Sequence, residues 1–280
     1  MNWIDTHVHL FAQNDNNEGI PALQPQNLLN TPDIYFSELK ENSPEAVVVV
    51  DFSMSKNSQH VISALDELKK NGKKAAGVIK GDLNNENTLK WIKRDDVKGI
   101  RLYAKDSTPD ISSEQWQSFL KIIEAEGKHI LIFGTCEYIV ELIKQIPKGI
   151  TILIDHFGLP KLGEDDINFG NLLEISKLRN NIYFKGPGYR TSIDADKVKP
   201  IIRQIVESVG HDKLILGASD APFAGPVLES TPEYAGKKYC EFMNYNNVLS
   251  FIKEISEYAC SNDSEKQKVL YENAKEIYGF

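Results

Sequence analysis

The sequence predicts a single-domain α/β protein: a closed (β/α)8, or TIM, barrel with its active site at the C-terminal face of the strands. Three observations predict it. Eight short β-rich runs recur along 280 residues, helical stretches separate most of them, and no Gly-x-Gly-x-x-Gly follows an early strand. The alternation is that of parallel βα units, and an open dinucleotide-binding sheet lacks its fingerprint here. One barrel of roughly 250 residues nearly fills the chain.

The runs are residues 3–8, 46–52, 74–79, 97–103, 129–133, 150–155, 181–185 and 213–216. The first lies within Asn2-Trp3-Ile4-Asp5-Thr6-His7-Val8-His9-Leu10. Side chains alternate along a strand, so His7 and His9 share a face, where two imidazoles can grip a metal ion or a polarised oxygen. Between the runs, residues 58–70 place Val61, Ile62, Leu65 and Leu68 on one helical face. Residues 113–126 do the same with Trp116, Phe119, Leu120 and Ile123. Residues 137–145, 168–178, 194–209 and the closing 263–278 follow the same period. Two segments break the rhythm: 11–45, polar and rich in Asn and Pro with a brief helical piece at 34–40, and 221–240, rich in Pro, Gly and Tyr. They follow strands one and eight and are expected to lie over the barrel mouth as active-site loops. With no repeat or linker, the domain is expected to run over residues 1–280.

Composition bounds the partners. The chain is 41% hydrophobic and 26% charged, ordinary for a soluble globular protein. A net charge of -8 argues against nucleic acid or an anionic membrane, yet leaves room for an anionic small-molecule substrate in a locally basic pocket. The cysteines (Cys136, Cys240, Cys260) share no metal-like spacing and fit a reducing compartment. No basic stretch leads into a long apolar run, so the expectation is a cytoplasmic protein with no signal peptide or membrane span. A homo-oligomer is compatible with these features.

Three strand ends carry chemistry. Strand six reads Ile150-Thr151-Ile152-Leu153-Ile154-Asp155-His156-Phe157-Gly158-Leu159-Pro160, an apolar run closed by a polar pair. His156 is the functional candidate there; Asp155 either points into the outer layer or orients the site through hydrogen bonds. Strand eight runs Leu214-Ile215-Leu216-Gly217-Ala218-Ser219-Asp220-Ala221-Pro222-Phe223 and sets Asp220 at the same end, bracketed by glycine and proline. No strong helix begins at once, so an N-cap role for Asp220 is the weaker reading. Around them, Arg101 at the end of strand four suits bidentate contact with a carboxylate. Lys185, Tyr189 and Arg190 near strand seven, Lys80 after strand three and Ser53 after strand two are further candidates for substrate binding. His60, on a helix expected to be exposed, and His211, before strand eight, read as surface residues. Tyr234, Tyr239, Phe242 and Tyr245 suit a lid, a subunit interface or plain packing equally.

Asp5-Thr6-His7-Val8-His9, Ile154-Asp155-His156-Phe157-Gly158-Leu159-Pro160 and Gly217-Ala218-Ser219-Asp220-Ala221-Pro222 together resemble the amidohydrolase-related family of the amidohydrolase superfamily. Gly99-Ile100-Arg101-Leu102 and the ending Tyr271-Glu272-Asn273-Ala274-Lys275-Glu276-Ile277-Tyr278-Gly279 are similar to further marks of that family. The resemblance implies a distorted barrel with a site built from strands one, six and eight. In metal-using members the strand-one histidines and the strand-eight aspartate are ligands, joined by a strand-five histidine. Here strand five ends Ile130-Leu131-Ile132-Phe133-Gly134-Thr135, His129 lies at its opposite end, and Lys105 falls beyond strand four. A binuclear site is therefore not expected. One divalent metal, zinc or manganese, could be held by His7, His9 and Asp220, with water or His156 completing the shell, or none could be needed.

That departure resembles the branch containing 2-pyrone-4,6-dicarboxylate lactonase and sugar-lactone hydrolases. By this analogy Asp220 activates water while His7, His9 and His156 polarise a lactone carbonyl and stabilise the oxyanion. The competing readings are a mononuclear metal-dependent hydrolase or decarboxylase acting on another small metabolite, and a barrel that binds without turnover.

Overall fold

The computed structural model describes residues 2–12, 30–162, 166–227 and 231–280. Eight parallel strands pair in chain order: β1 (Ile4–Val8), β2 (Ala46–Val50), β3 (Lys74–Lys80), β4 (Val97–Ala104), β5 (His129–Gly134), β6 (Ile152–Ile154), β7 (Ile182–Lys185) and β8 (Leu214–Ile215). All eight expected runs are strands. The helices are α1 (Pro32–Leu39), α2 (Gln59–Lys70), α3 (Thr88–Ile92), α4 (Glu114–Ala125), α5 (Cys136–Gln145), α6 (Ile167–Leu178), α7 (Ala195–Val209), α8 (Tyr245–Ala259), α9 (Asp263–Gln267) and α10 (Asn273–Tyr278), with a π-helical turn at Lys268–Glu272 joining the last two. The protein is a (β/α)8 barrel.

Strand alternation divides the apolar residues into two cores. Ile4, Ala46, Val48, Val50, Ala76, Val78, Leu131, Leu153 and Ile215 fill the barrel interior. Their sequence neighbours Val47, Val49, Ile79, Ile100, Ile130, Ile132, Ile152 and Ile154 pack outward against the helices. Tyr271, Ala274 and Tyr278, from the π-turn and α10, join the interior core from the bottom.

Helix α2 corrects one expectation. His60 is 4% exposed, its ring lies against Phe11, and its Nε2 accepts from the Phe52 amide. Its position, one turn before Ala64 and two before Leu68, puts it in the buried stripe. Burial lowers its pKa to about 3, so it stays neutral. Helix α8 was not anticipated; Asn244 caps it, and Val248, Phe251, Ile252 and Ile255 form its buried face. Among the described residues no helix is long and apolar enough to cross a membrane.

The barrel closes where β8 meets β1. The Thr6 amide donates to the Gly217 carbonyl (2.8 Å), the Asp220 amide to His7 (2.6 Å), and the His9 amide to Ala221 (2.9 Å). The seam thus fastens the Asp220 loop to the two histidines. Gly217 is required there, since a Cβ would sit 2.4 Å from the Ile4 carbonyl oxygen and 3.0 Å from that of Leu270. Gly217→Ala should cost about 2 kcal/mol and lower the thermal midpoint by several degrees in calorimetry. Gly170→Ala in α6, where nothing lies within 4 Å, should leave it unchanged or raise it.

Candidate active site

A bulge in the first strand aims the histidines. Asp5 pairs with Val47 but Val8 pairs with Val49, so β1 holds one residue more than β2 over this stretch. The extra residue inverts the alternation. Ile4 faces the barrel interior, Val8 faces the helices, and His7 and His9 are thereby turned toward the axis. Inward positions near the ends of three other strands are also polar: Arg101 on β4, Asp155 just past β6 and Lys185 at the end of β7. The upper layer of the barrel interior is therefore charged.

Asp155 is its centre and is fully buried. Arg101 Nη2 donates to Asp155 Oδ2 at 2.5 Å, Lys185 Nζ to Oδ1 at 2.9 Å, and His7 Nδ1 lies 3.0 Å from Oδ1. Burial alone favours the neutral acid, but the neighbouring histidines and the two cations outweigh it and hold Asp155 well below the usual carboxylate range. Burial drives His7 well below the usual histidine value despite Asp155, leaving a neutral ring. The backbone of a further buried acid, Asp51, anchors Arg101. Asp51 accepts from Ser55 Oγ (3.0 Å), Ser58 Oγ (2.9 Å) and Tyr103 OH (2.9 Å), while its backbone carbonyl accepts from Arg101 Nη1 (2.8 Å).

Asp220 forms a second corner. Its Oδ1 lies 3.3 Å from His9 Nε2 and 3.5 Å from His7 Nε2, and its Oδ2 accepts from Arg190 Nε. Tyr189 OH donates to Oδ2 at 3.3 Å. Burial would raise the Asp220 pKa, but Arg190 above all, with the histidines, depresses it well below the usual value. His156 completes the group: its ring centroid is 5.1 Å from that of His7, its Nδ1 is 3.4 Å from the Pro187 carbonyl, and its pKa falls to about 4 through burial. Both His156 (φ 50°) and Asp220 (φ 54°) occupy the left-handed backbone region, at roughly 1 kcal/mol each. Hydrogen bonding and packing over-determine these positions, as is usual where strain accompanies function.

Three of these atoms converge as a metal site requires: one ligand atom each from His7, His9 and Asp220, all within 4.8 Å of one another. His9 Nδ1 donates to the Val50 carbonyl at 2.9 Å, which leaves Nε2 directed at the carboxylate. His7 Nε2 is buried with no hydrogen-bond partner. A two-histidine, one-carboxylate set with an orphaned nitrogen fits a single divalent ion with one position open.

Beside this group lies a cavity of about 750 Å³. It is lined by His9, His156, Asp220, Arg101, Arg190 and Ser53 among the expected residues. His7, Lys185, Tyr189 and Lys80 do not line it. His7 and Lys185 are fully buried behind the wall, Tyr189 packs beneath Asp220, and Lys80 Nζ donates to the Ser55 carbonyl. Phe52, Met54, Tyr103 and Phe133, which the sequence does not single out, also line the cavity, as does Tyr239, one of the aromatics expected in a lid, an interface or packing. Alternation carries Tyr103 and Phe133 inward with Arg101, so strand parity was the available signal. The 221–240 segment contributes Ala224, Gly225, Pro226 and residues 236–239 to the mouth. Among the described residues of 11–45 none lines it; residues 13–29 lie outside the description. Tyr239 lies under Arg190, with guanidinium and ring centroid 4.5 Å apart, and is packing within the site.

Residues 4–280 match the family model described as amidohydrolase. The chain belongs to the amidohydrolase family. With the family comes the reaction class, hydrolysis. No curated protein matches this amidohydrolase. Among solved structures it is similar to a probable 2-pyrone-4,6-dicarboxylic acid hydrolase from Acinetobacter baumannii with citric acid bound (TM-score 0.79, 21% identity, 100% of both chains). A second protein given that name provisionally, from Pseudomonas putida, has TM-score 0.75 and 22% identity over 99% of this chain and 97% of its own. An amidohydrolase from Burkholderia multivorans with bound zinc has TM-score 0.75 and 15% identity over 100% of both chains. At such identities the likeness establishes the shared fold.

Asp155→Asn leaves Arg101 and Lys185 buried without their carboxylate. It should lower stability by about 3–5 kcal/mol in urea denaturation, because an uncompensated buried charge remains. Ser53→Ala at the cavity wall should stay within about 0.5 kcal/mol of the parent.

Proposed function

We propose that this amidohydrolase opens a carboxylated lactone, or a closely similar activated ester, with Asp220 as the base toward water. The observation that carries the reading is the state of Asp220. Arg190 holds it ionised at the cavity wall, between His9 and His156. A carboxylate so stabilised is always available as a base but is a weak one, and it suits an ester carbonyl that is already electrophilic better than an amide. The rim supports an anionic substrate: Arg101, Lys105, Arg190, Lys237 and Lys238 line the cavity against the acidic Asp106 and Asp220. The names of the two structural relatives, and the citric acid bound in the one from Acinetobacter baumannii, agree with a polycarboxylate-sized ligand.

In this mechanism the ester carbonyl faces His9 and His156. Water attacks the carbonyl carbon as Asp220 takes its proton, and the tetrahedral oxyanion forms against the imidazole wall. The ring C–O bond then breaks, Asp220 returns the proton to the leaving oxygen, and a hydroxy acid is released. His7, completely buried, acts from behind by holding Asp220 and His9 in place rather than by touching substrate. If a divalent ion is bound, His7, His9 and Asp220 hold it, and it supplies Lewis acidity toward the carbonyl. The convergence of His7, His9 and Asp220 and the zinc in the Burkholderia multivorans relative favour this as the second reading.

A panel of carboxylated, neutral and sugar lactones beside matched amides, followed by acid release in weak buffer, tests the proposal. Turnover of the carboxylated lactones is expected; turnover of amides alone contradicts it. Activity that survives exhaustive chelation supports the metal-free form, and loss restored by zinc or manganese selects the second. Asp220→Asn should lower kcat by about 10²–10⁴-fold with an unchanged circular dichroism spectrum. The pH profile follows from the sign of the shifts. The active forms are ionised Asp220, depressed well below 3.8, and neutral His156, near 4, so kcat/KM should hold from pH 8 to about 5 and fall only below that. An acidic limb centred between pH 6 and 7 would contradict these roles.

A further inference from the structure

Lys185 is the feature that the hydrolytic reading leaves unexplained. It is fully buried, does not line the cavity beside Asp220, and lies against His7. Its Nζ is 2.7 Å from His7 Nδ1 and 2.9 Å from Asp155 Oδ1. An ammonium can only donate, so in contact with it His7 Nδ1 must accept. A neutral imidazole that accepts at Nδ1 carries its one proton at Nε2. That nitrogen is the atom directed at Asp220 Oδ1, 3.5 Å away.

We propose that Lys185 is a positioning residue that sets the tautomer of His7, placing its proton on Nε2 so that the ring faces Asp220 as a donor and is a poor metal ligand. His7 Nδ1 has an alternative partner. Asp155 Oδ1, 3.0 Å away, would accept a proton from Nδ1 and leave the Nε2 lone pair free, the arrangement in which a carboxylate backs a metal-ligating histidine. The two arrangements compete for one nitrogen, and the shorter contact belongs to Lys185. The ammonium also occupies Asp155 Oδ1, the oxygen that His7 would otherwise use. The remaining oxygen, Oδ2, is taken by Arg101 at 2.5 Å. Asp155 Oδ1 is thus shared between the Lys185 ammonium and His7 Nδ1, and of the two groups facing that nitrogen Lys185 is the nearer.

The consequence concerns what kind of site the barrel presents. With Lys185 in place, the Nε2 proton of His7 faces Asp220 Oδ1 at 3.5 Å without a hydrogen bond, and the three-atom metal set is one lone pair short. Without the ammonium, the same three side chains become a complete two-histidine, one-carboxylate set. Position 185 thus separates a site that holds a divalent ion weakly from one that holds it well. This inference concerns the chain's own proton placement and stands whether or not the substrate is a lactone.

Two measurements test it. Long-range ¹H–¹⁵N correlation spectra of the wild-type protein, with His7 assigned by comparison with His7→Gln, should show the His7 proton on Nε2. A proton on Nδ1 overturns the proposal without need of any Lys185 variant. Lys185→Met keeps the length and removes the ammonium. Its His7 proton should move to Nδ1, and calorimetric titration with zinc alone should show affinity at least ten-fold tighter than wild type. Zinc affinity that is unchanged or weaker in a folded Lys185→Met protein overturns the proposal, since Lys185 would then be only a structural counter-ion of Asp155.

Discussion

The Asp155 carboxylate holds the site together. Arg101 and Lys185 are inside the barrel because a carboxylate buried between them compensates the cost of desolvating them. Moving a charge out of water costs several kcal/mol even after relaxation, and the mutual attraction offsets that only when geometry is good and remaining donors are satisfied. Here the remaining donors are largely used: Arg101 Nη1 reaches the Asp51 carbonyl and Lys185 Nζ reaches His7. The apolar layers below, closed at the bottom by Tyr278, give this charged layer a rigid floor.

From that constraint follows a division between two acids of one type. Asp155, fully buried, is spent on cations and on the histidine behind the wall. Asp220 faces a cavity and keeps one oxygen toward the histidine pair while Arg190 holds the other. The same chemistry thus serves architecture in one place and, in the proposed mechanism, proton transfer in the other, and the difference lies in what each carboxylate can reach. The seam between β8 and β1 links the two roles, because the backbone bonds that close the barrel are those that fix the Asp220 loop against His7 and His9.

Much of this was legible in the sequence. Runs such as Ala46–Val50 and Ile152–Ile154 are uniformly apolar because parallel barrel strands are buried on both faces, and the polar residues that follow them, Asp51 and Asp155, mark the strand ends next to the cavity. Parity correctly put His7 and His9 on one face. Which face was illegible, because a bulge adds a residue without any side-chain signature. The partners of Arg101 and Lys185 were equally hidden. The sequence suggests Arg101 as a grip for a substrate carboxylate and Lys185 as a substrate-binding residue, and only the closing of the sheet shows that Asp155 pairs with both. His60 failed for a different reason: a histidine in a helical stripe is scored polar, although 60, 64 and 68 lie on one face with Val61 and Leu65. Helix α8 could have been found from Asn244 and the spacing of Val248, Phe251, Ile252 and Ile255.

The central claim is that the Asp220 corner and the basic rim together seat a carboxylated ester for attack by water. A crystal structure of the Asp220→Asn protein soaked with a carboxylated lactone that the wild type consumes tests it most directly. The account predicts an intact lactone in the cavity, with its ester carbonyl against His9 and His156 and its carboxylate toward the Arg101, Arg190 and Lys105 side. A ligand bound the other way round, with its carboxylate at residue 220 and its ester in the cavity mouth, would contradict it.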